Sequence, residues 1–594
     1  TGAVIEIRQL NLQTVTDRNG NFSFRFTIRS RKSITLRITT PGYKPADKEV
    51  RLDKNLKRVE VYLEPVGGTP NVEERDRVDQ KGMMMDLSQN AGRKSRELYS
   101  PYRRQSGPFN TESYDHIDEN RYYAVADRPL STFSIDVDAA SYSNMRRMIN
   151  EGRLPVRDAV RIEEMINYFE YDYPGPAASG AHPFSVTLES GTAYWNPNHK
   201  LVHIGIQGKR MGKEELPPSN LVFLLDVSGS MNTPRKLPLL KKAFRLLVDQ
   251  LSPNDRVAIV VYAGSSGLVL PSTPASEKQA ILDSIHRLRA GGSTAGAAGI
   301  RLAYRVAQEQ FMEGGNNRII LATDGDFNVG VSSDAELVRL IEKKRNNGIF
   351  LTVLGFGTGN LKDSKMEKLA DKGNGNYAYI DTILEAKKVL VNEIGSTLLT
   401  IAKDVKIQVE FNPAEVQAYR LIGYENRVLE NEDFNDDTKD AGELGAGHSV
   451  TALYEIIPAG IEPDVEIPAI DTLKYQTVRK SPDSTHSGEL LTVKLRYKDP
   501  DGEKSRLLSR SLNSRAWNGD TVSENLIFSS AVAGFGMLLR DSEFKGSCSY
   551  DMVLGMLEAS KGEDEHGYRS ELIQLVKAAQ LLASGEGREL GSRE

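Results

Sequence analysis

Five residues stand at spacings that suit a hard cation. Asp226, Ser228 and Ser230 occupy alternate positions of Asp226-Val227-Ser228-Gly229-Ser230, immediately after the apolar run Leu221 to Leu225. Asp324 follows Arg318–Thr323 in the same manner, and Thr294 lies in Gly291-Gly292-Ser293-Thr294, ahead of a helical stretch. The set offers two carboxylates and three hydroxyls, with no His or Cys. Such oxygen donors select Mg²⁺ or Mn²⁺ over zinc. Because the hydroxyls are neutral, a bound ion would remain electrophilic, and an open position would accept a carboxylate from another molecule. Ser228 has no evident His partner to activate it as a nucleophile. No G-x-x-x-x-G-K-[ST] loop, H-E-x-x-H or G-x-S-x-G occurs. The chain is therefore read as a binding protein and not as an enzyme.

These residues need elements to bring them together. Residues 219–397 alternate apolar runs with amphipathic helices. The runs are Leu221–Leu225, Arg256–Tyr262, Arg318–Ala322, Ile349–Leu354 and Tyr377–Ile380, with helices expected at Lys236–Gln250, Glu277–Leu288, Gly296–Glu309, Asp334–Asn346, Lys362–Asp371 and Thr382–Ile394. Continuous apolar strands between helices predict a mainly parallel sheet covered on both faces. In such a sheet ligands bind outside the carboxyl ends of the strands, where Asp226, Ser228, Ser230, Thr294 and Asp324 would meet.

At these residues the chain resembles the von Willebrand factor type A domain and its metal-ion-dependent adhesion site. That pattern is D-x-S-x-S, then a distant Thr and a distant Asp, carried here by "LLDVSGSM", "GGSTAGAAGI" and "LATDGDFN". The resemblance implies one divalent cation and a protein ligand that offers an Asp or Glu carboxylate. Flanking segments such as "RPLSTFSIDVDAASYSNMRRMINEGRLPVRDAVRIEEMINYFEYDYP" and "AVAGFGMLLRDSEFKGSCSYDMVLGMLEASKG" look like those of YfbK-type bacterial von Willebrand factor A proteins, over roughly residues 112–585. Those are exported or lipid-anchored envelope proteins. The resemblance thus implies a place in the periplasm, at the outer membrane or on the cell surface. A chain that begins at Thr1 fits a lipid anchor removed with the N-terminus. The competing reading is a non-catalytic scaffold, or a subunit of a larger assembly with a partner ATPase.

The expected fold is multidomain α/β plus β, with a Rossmann-like von Willebrand factor A domain inserted in a β-sandwich. Residues 1–65 read as a small β-sandwich similar to carboxypeptidase-regulatory-like modules, with alternating strands at Asn21–Phe26, Ser33–Ile38 and Val59–Leu63. Residues 66–112 lose all periodicity and read as a flexible linker. A family-specific segment follows at 113–182. The host β-sandwich is expected in two parts, 183–218 and 398–515, with the α/β domain at 219–397 between them. Helices are expected within 516–594, at Ser523–Leu539, Tyr550–Ser560 and Ser570–Ser584.

Composition sets outer bounds. The chain has 594 residues, 39% hydrophobic and 26% charged, and no apolar run reaches the ~20 residues of a membrane helix. A single cysteine, Cys548, excludes internal disulfides and Cys-rich zinc sites. Residues 1–65 carry 13 Lys+Arg against 7 Asp+Glu, a net of +6, so residues 66–594 sum to -11 within a total of -5. The basic residues alternate along strands as on a solvated sheet face, so no nucleic-acid partner is expected.

Three further features have plainer readings. Asp136 and Asp138 follow a strand, and Asp138 is expected to cap a helix from Ala139 to Asn150. Asp433, Asn435, Asp437, Asp440 and Glu443 form an acidic loop. Its sixth and twelfth positions, Thr438 and Leu444, lack the Gly and Glu of an EF-hand, so turns or a solvated hairpin are expected. Gly355-Phe356-Gly357-Thr358-Gly359 is spaced for a tight strand-to-helix turn, not for a dinucleotide fingerprint.

Overall fold

The computed structural model describes residues 4–7, 12–15, 33–39, 46–51 and 112–585, the last without 136–137, 178–179, 264, 293–295, 326, 328–333, 394, 396–398, 469–487, 501 and 515–521. The chain divides into two compact units, Thr1–Arg104 and Gln105–Glu594. In the first, β1 (Val4–Ile7), β2 (Leu12–Val15), β3 (Ser33–Thr39) and β4 (Ala46–Arg51) form an antiparallel sheet in the order β2-β1-β3-β4. Ile5 pairs with Ile38, and both are buried. The strands expected at 21–26 and 59–63 lie outside the described residues, as does all of the 66–112 linker except Glu112.

The second unit starts with β5 (Tyr123–Ala124), β6 (Leu130–Ser134), α1 (Ala140–Asn150) and α2 (Ile162–Asn167), then the hairpin β7 (Phe184–Ala193) and β8 (Asn196–Gly208). Next comes the α/β domain. Its elements are β9 (Ser219–Asp226), α3 (Leu237–Gln250), β10 (Arg256–Tyr262), β11 (Ser266–Pro274), α4 (Lys278–Arg287), α5 (Gly296–Glu309) and β12 (Asn316–Thr323), then α6 (Asp334–Arg345), β13 (Ile349–Phe356), α7 (Asp363–Lys372), β14 (Tyr377–Ile380) and α8 (Ile383–Lys387). The sheet order is β11-β10-β9-β12-β13-β14, parallel throughout except for β11. That antiparallel edge strand is absent from the runs read in the sequence. Here Ser266 opens β11, opposite Tyr262.

All eight residues of β9 are buried, and the five from Leu221 to Leu225 alternate between two cores. Leu221, Phe223 and Leu225 face the core shared with α3 and α4, while Val222 and Leu224 face the core shared with α5, α6 and α7. A strand covered on both faces has no polar side, which is why the sequence runs apolar there without alternation.

After the α/β domain come β15 (Thr400–Phe411), β16 (Val416–Ile422), β17 (Val428–Leu429), β18 (Gly442–Gly445), β19 (Ser449–Pro458), β20 (Glu489–Lys498) and β21 (Arg506–Asn513). They join the earlier strands in two antiparallel sheets, β17-β6-β15-β20-β21 and β5-β16-β19-β8-β7. One core lies between them, with Phe133, Ile204, Val409, Tyr454 and Leu495 among its buried members. Strands from both sides of 219–392 thus build one sandwich, and the α/β domain is an insertion in it.

The chain closes with α9 (Glu524–Arg540), α10 (Tyr550–Ala559) and α11 (Tyr568–Ser584), which pack against α1 and α2. Ser523 caps α9, its hydroxyl accepting from Leu526 N at 3.1 Å. Arg146 of α1 reaches the end of the inserted sheet, donating to Asp381 at 2.5 Å and to Glu385 at 2.7 Å. These pairs are buried and hydrogen-bonded on both sides, so they fix how the inserted domain meets its host.

Candidate metal centre

Register brings the two aspartates together. In the parallel pairing of β9 with β12, Leu225 stands opposite Ala322, so Asp226 is beside Thr323 and next to Asp324. Both carboxylates are fully buried at the carboxyl edge of the sheet. The turn after β9 folds back on Asp226, whose Oδ1 accepts from Ser228 N at 2.8 Å. Ser228 Oγ and Ser230 Oγ lie 3.0 Å apart. Two backbone bonds dock the Gly-rich loop on this turn, Gly229 N to Gly292 O at 3.0 Å and Gly291 N to Val227 O at 2.8 Å. Four of the five expected residues, Asp226, Ser228, Ser230 and Asp324, therefore share one crevice. Thr294 lies outside the described residues.

The electrostatics separate the two carboxylates. Burial and the charge of Asp324 push Asp226 up to about 6, against the opposing hydrogen bonds of Ser228. Burial also pushes Asp324 up. Hydrogen bonds from Lys236 and Ser230, the Lys236 charge and Asn360 outweigh it and hold Asp324 below the usual carboxylate range. Two buried carboxylates with hydroxyls beside them form a donor set that fits a hard divalent cation. The set includes no soft ligand.

Sequence reasoning missed Lys236 and Asn360. Lys236 Nζ donates to Asp324 Oδ2 at 2.8 Å and to Asn360 Oδ1 at 3.0 Å. A signal was present: Lys236 stands at the N-cap of α3, where the positive end of the helix dipole disfavours a cation. Asn360 comes from the turn after β13. That turn packs on Gly325, whose φ is +100° and where an added Cβ would lie 2.7 Å from Leu361 Cα. Of the Gly355–Gly359 stretch, Gly355 and Phe356 end β13 and the strand-to-helix turn begins at Gly357, with φ of +78° at Gly357 and +94° at Gly359.

The other candidate clusters resolve differently. Asp138 does not cap α1. Its Oδ1 accepts from Tyr377 N at 2.7 Å, and the α1 terminus is capped from α2, Ser141 N donating to Glu164 Oε2 at 2.8 Å. A helix terminus accepts any correctly placed oxygen, and tertiary packing supplied one from elsewhere. Carboxylate oxygens of Asp138, Glu164 and Glu367 lie within 4.8 Å of one another, but two guanidinium groups serve them. Arg161 pairs with Glu164, and Arg427 donates to Glu367 at 3.0 Å. Asp136 is outside the described residues. In the acidic loop, protein cations take up the oxygens. Lys406 Nζ donates to the carbonyls of Asp433 at 2.9 Å and Asp436 at 2.5 Å, Lys439 pairs with Asp433 at 3.1 Å, and Arg345 pairs with Asp440 at 2.7 Å. Thr438 N and Oγ1 both donate to Asp436 Oδ1, an Asx turn. Cys548 is half-buried, and burial pushes its thiol up to about 11.

Three family models match segments of the large unit. The von Willebrand factor type A domain model matches residues 220–392, a model described as "von Willebrand factor" matches 108–203, and one for the C-terminal part of uncharacterized protein YfbK matches 396–582. The chain is 44% identical over 477 residues to uncharacterized protein YfbK of Escherichia coli (strain K12), covering 79% of this chain and 81% of that one. It is 30% identical over 197 residues to human inter-alpha-trypsin inhibitor heavy chain H4, covering 31% of this chain and 21% of that one. A solved structure, von Willebrand factor type A from Catenulispora acidiphila, is 17% identical with a TM-score of 0.36, covering 67% of this chain and 89% of that one. The extent of the match to YfbK, on both sides of the inserted domain as well as within it, places the chain in the YfbK family of von Willebrand factor type A domain proteins.

Proposed function

We propose that the protein binds a protein ligand through one Mg²⁺ or Mn²⁺ held by Asp226, Ser228, Ser230, Thr294 and Asp324, without catalysing a reaction. The observation that carries this reading is the convergence of Asp226, Ser228, Ser230 and Asp324 at the carboxyl edge of the parallel sheet. Two carboxylates and neutral hydroxyls leave an ion short of negative ligands, and Mg²⁺ usually retains waters. An Asp or Glu of the ligand would displace one such water in a crevice whose low dielectric strengthens the bond. The resemblance of the flanking segments to envelope proteins supports a site of action outside the cytoplasm.

Affinity capture from envelope and cytosolic fractions, with Mg²⁺ and with excess EDTA, tests both parts. A partner recovered from envelope fractions, lost with EDTA and lost with Asp226→Ala, is the expected result. A native partner that binds equally well in EDTA would leave the domain a metal-independent scaffold. Retention of the full-length protein in the cytosol on fractionation would remove the envelope assignment.

A further inference from the structure

We infer that Lys236 is a built-in cation of the metal centre, which weakens the site's hold on the ion and makes the bound ion receptive to an anionic ligand. The inference deepens the metal-site reading and rests on it. Lys236 is held from three directions. The turn between Ser230 and α3 places its backbone, with Lys236 N donating to Thr233 O at 3.0 Å. Its ammonium lies between Asp324 Oδ2, at 2.8 Å, and Asn360 Oδ1, at 3.0 Å. Its methylene stem crosses Gly357, where a Cβ would stand 2.3 Å from Lys236 Cγ and 2.4 Å from Cε. The side chain is 8% exposed. Local structure does not call for a lysine here, since a helix N-terminus disfavours a cation. The position is explained by what the ammonium reaches.

Charge addition gives the consequence. A divalent cation with Asp226 and Asp324 sums to zero, so an incoming carboxylate would make the centre negative. With Lys236 the same centre is +1, and one carboxylate brings it to neutrality. In a buried crevice this difference is large compared with the interaction of an exposed pair. Lys236 therefore opposes metal binding and favours the carboxylate that follows it. Its role is one of positioning and selectivity: the ammonium fixes Asp324 and sets the charge of the shell.

The test needs no native partner. Titration calorimetry gives the affinity of Mn²⁺ for the full chain and for Lys236→Gln, Lys236→Arg and Gly357→Ala. Mn²⁺ electron paramagnetic resonance then follows acetate, the carboxylate probe, as it displaces water from the bound ion. The expected result is that Lys236→Gln binds Mn²⁺ on the order of tenfold more tightly and responds to acetate several-fold more weakly. Lys236→Arg should stay near the wild type. Should Lys236→Gln not fold, Gly357→Ala, whose Cβ drives the stem aside, carries the test with the same expected direction. Equal or weaker Mn²⁺ binding in the folded variant overturns the role of Lys236 while leaving the metal site standing. A wild-type chain that binds no Mn²⁺ overturns the metal site and this inference together.

Discussion

Asp138 Oδ1 accepts a hydrogen bond from Tyr377 N at 2.7 Å, joining the loop before α1 to the last strand of the inserted sheet. The carboxylate is 1% exposed, and Arg427 Nη2 approaches its other oxygen at 3.5 Å. Buried charge-assisted bonds of this kind are costly to break, because the surviving groups stay desolvated.

Asp138→Ala is accordingly expected to destabilise the large unit by about 2–4 kcal/mol. Urea denaturation of the two proteins measures it. A loss below about 0.5 kcal/mol, the level of an ordinary surface change, would mean that the bond does not hold the two domains in register.

Glu163 gives a pH dependence. It is 2% exposed, and its Oε2 has no hydrogen-bond partner among the described residues. Burial first, then the charge of Glu425, push it up to about 7, with Arg540 opposing. A carboxyl whose folded value is raised contributes stability that is full below its unfolded value and is lost as pH rises through the folded one. Glu163→Gln should therefore gain about 1–3 kcal/mol at about pH 8 and gain little at about pH 5. Equal gains at both values would assign the effect to packing instead.

The metal centre should couple to stability by mass action. Mg²⁺ or Mn²⁺ at 100 times its dissociation constant is expected to add about 2.7 kcal/mol to the wild type. Asp226→Ala and Asp324→Ala should lose that increment, while metal-free Asp226→Ala should stay within about 1 kcal/mol of the wild type. Burial and the charge of Asp324 disfavour the Asp226 carboxylate, so its removal relieves a cost that offsets the lost bond from Ser228 N. Thermal scans with and without metal read this directly. The same metal-induced shift in Asp226→Ala would exclude these residues as the ligands.

The acidic loop should behave as a protein-filled turn. Calorimetry of Asp226→Ala with Ca²⁺ is expected to show no micromolar site, and Lys406→Met should destabilise by about 1–3 kcal/mol, since it strips donors from the carbonyls of Asp433 and Asp436. Recovery of that loss on adding Ca²⁺ would show that Lys406 stands in for calcium.

The amino-acid sequence by itself determined the inserted α/β domain and picked out the residues of its candidate metal centre. Both are written in contiguous patterns. Strands covered on both faces must be apolar without alternation, as at Leu221–Leu225, and Asp226 and Asp324 come directly after two such runs. The sandwich hosting the insertion was legible for the same reason, because alternating strands stand on both sides of 219–397. Tertiary structure alone decided the rest. The edge strand Ser266–Pro274 is stabilised by pairing with β10, and its Leu268 and Val269 are exposed, so no periodic core face marks it. The cap of α1 is Glu164 instead of Asp138, and the cation on Asp324 is Lys236, 88 residues earlier in the chain. Hydrogen-bond partners and charge partners are chosen by proximity in space. A single sequence records spacing along the chain, and packing alone turns that spacing into the distances on which charge and hydrogen bonding act.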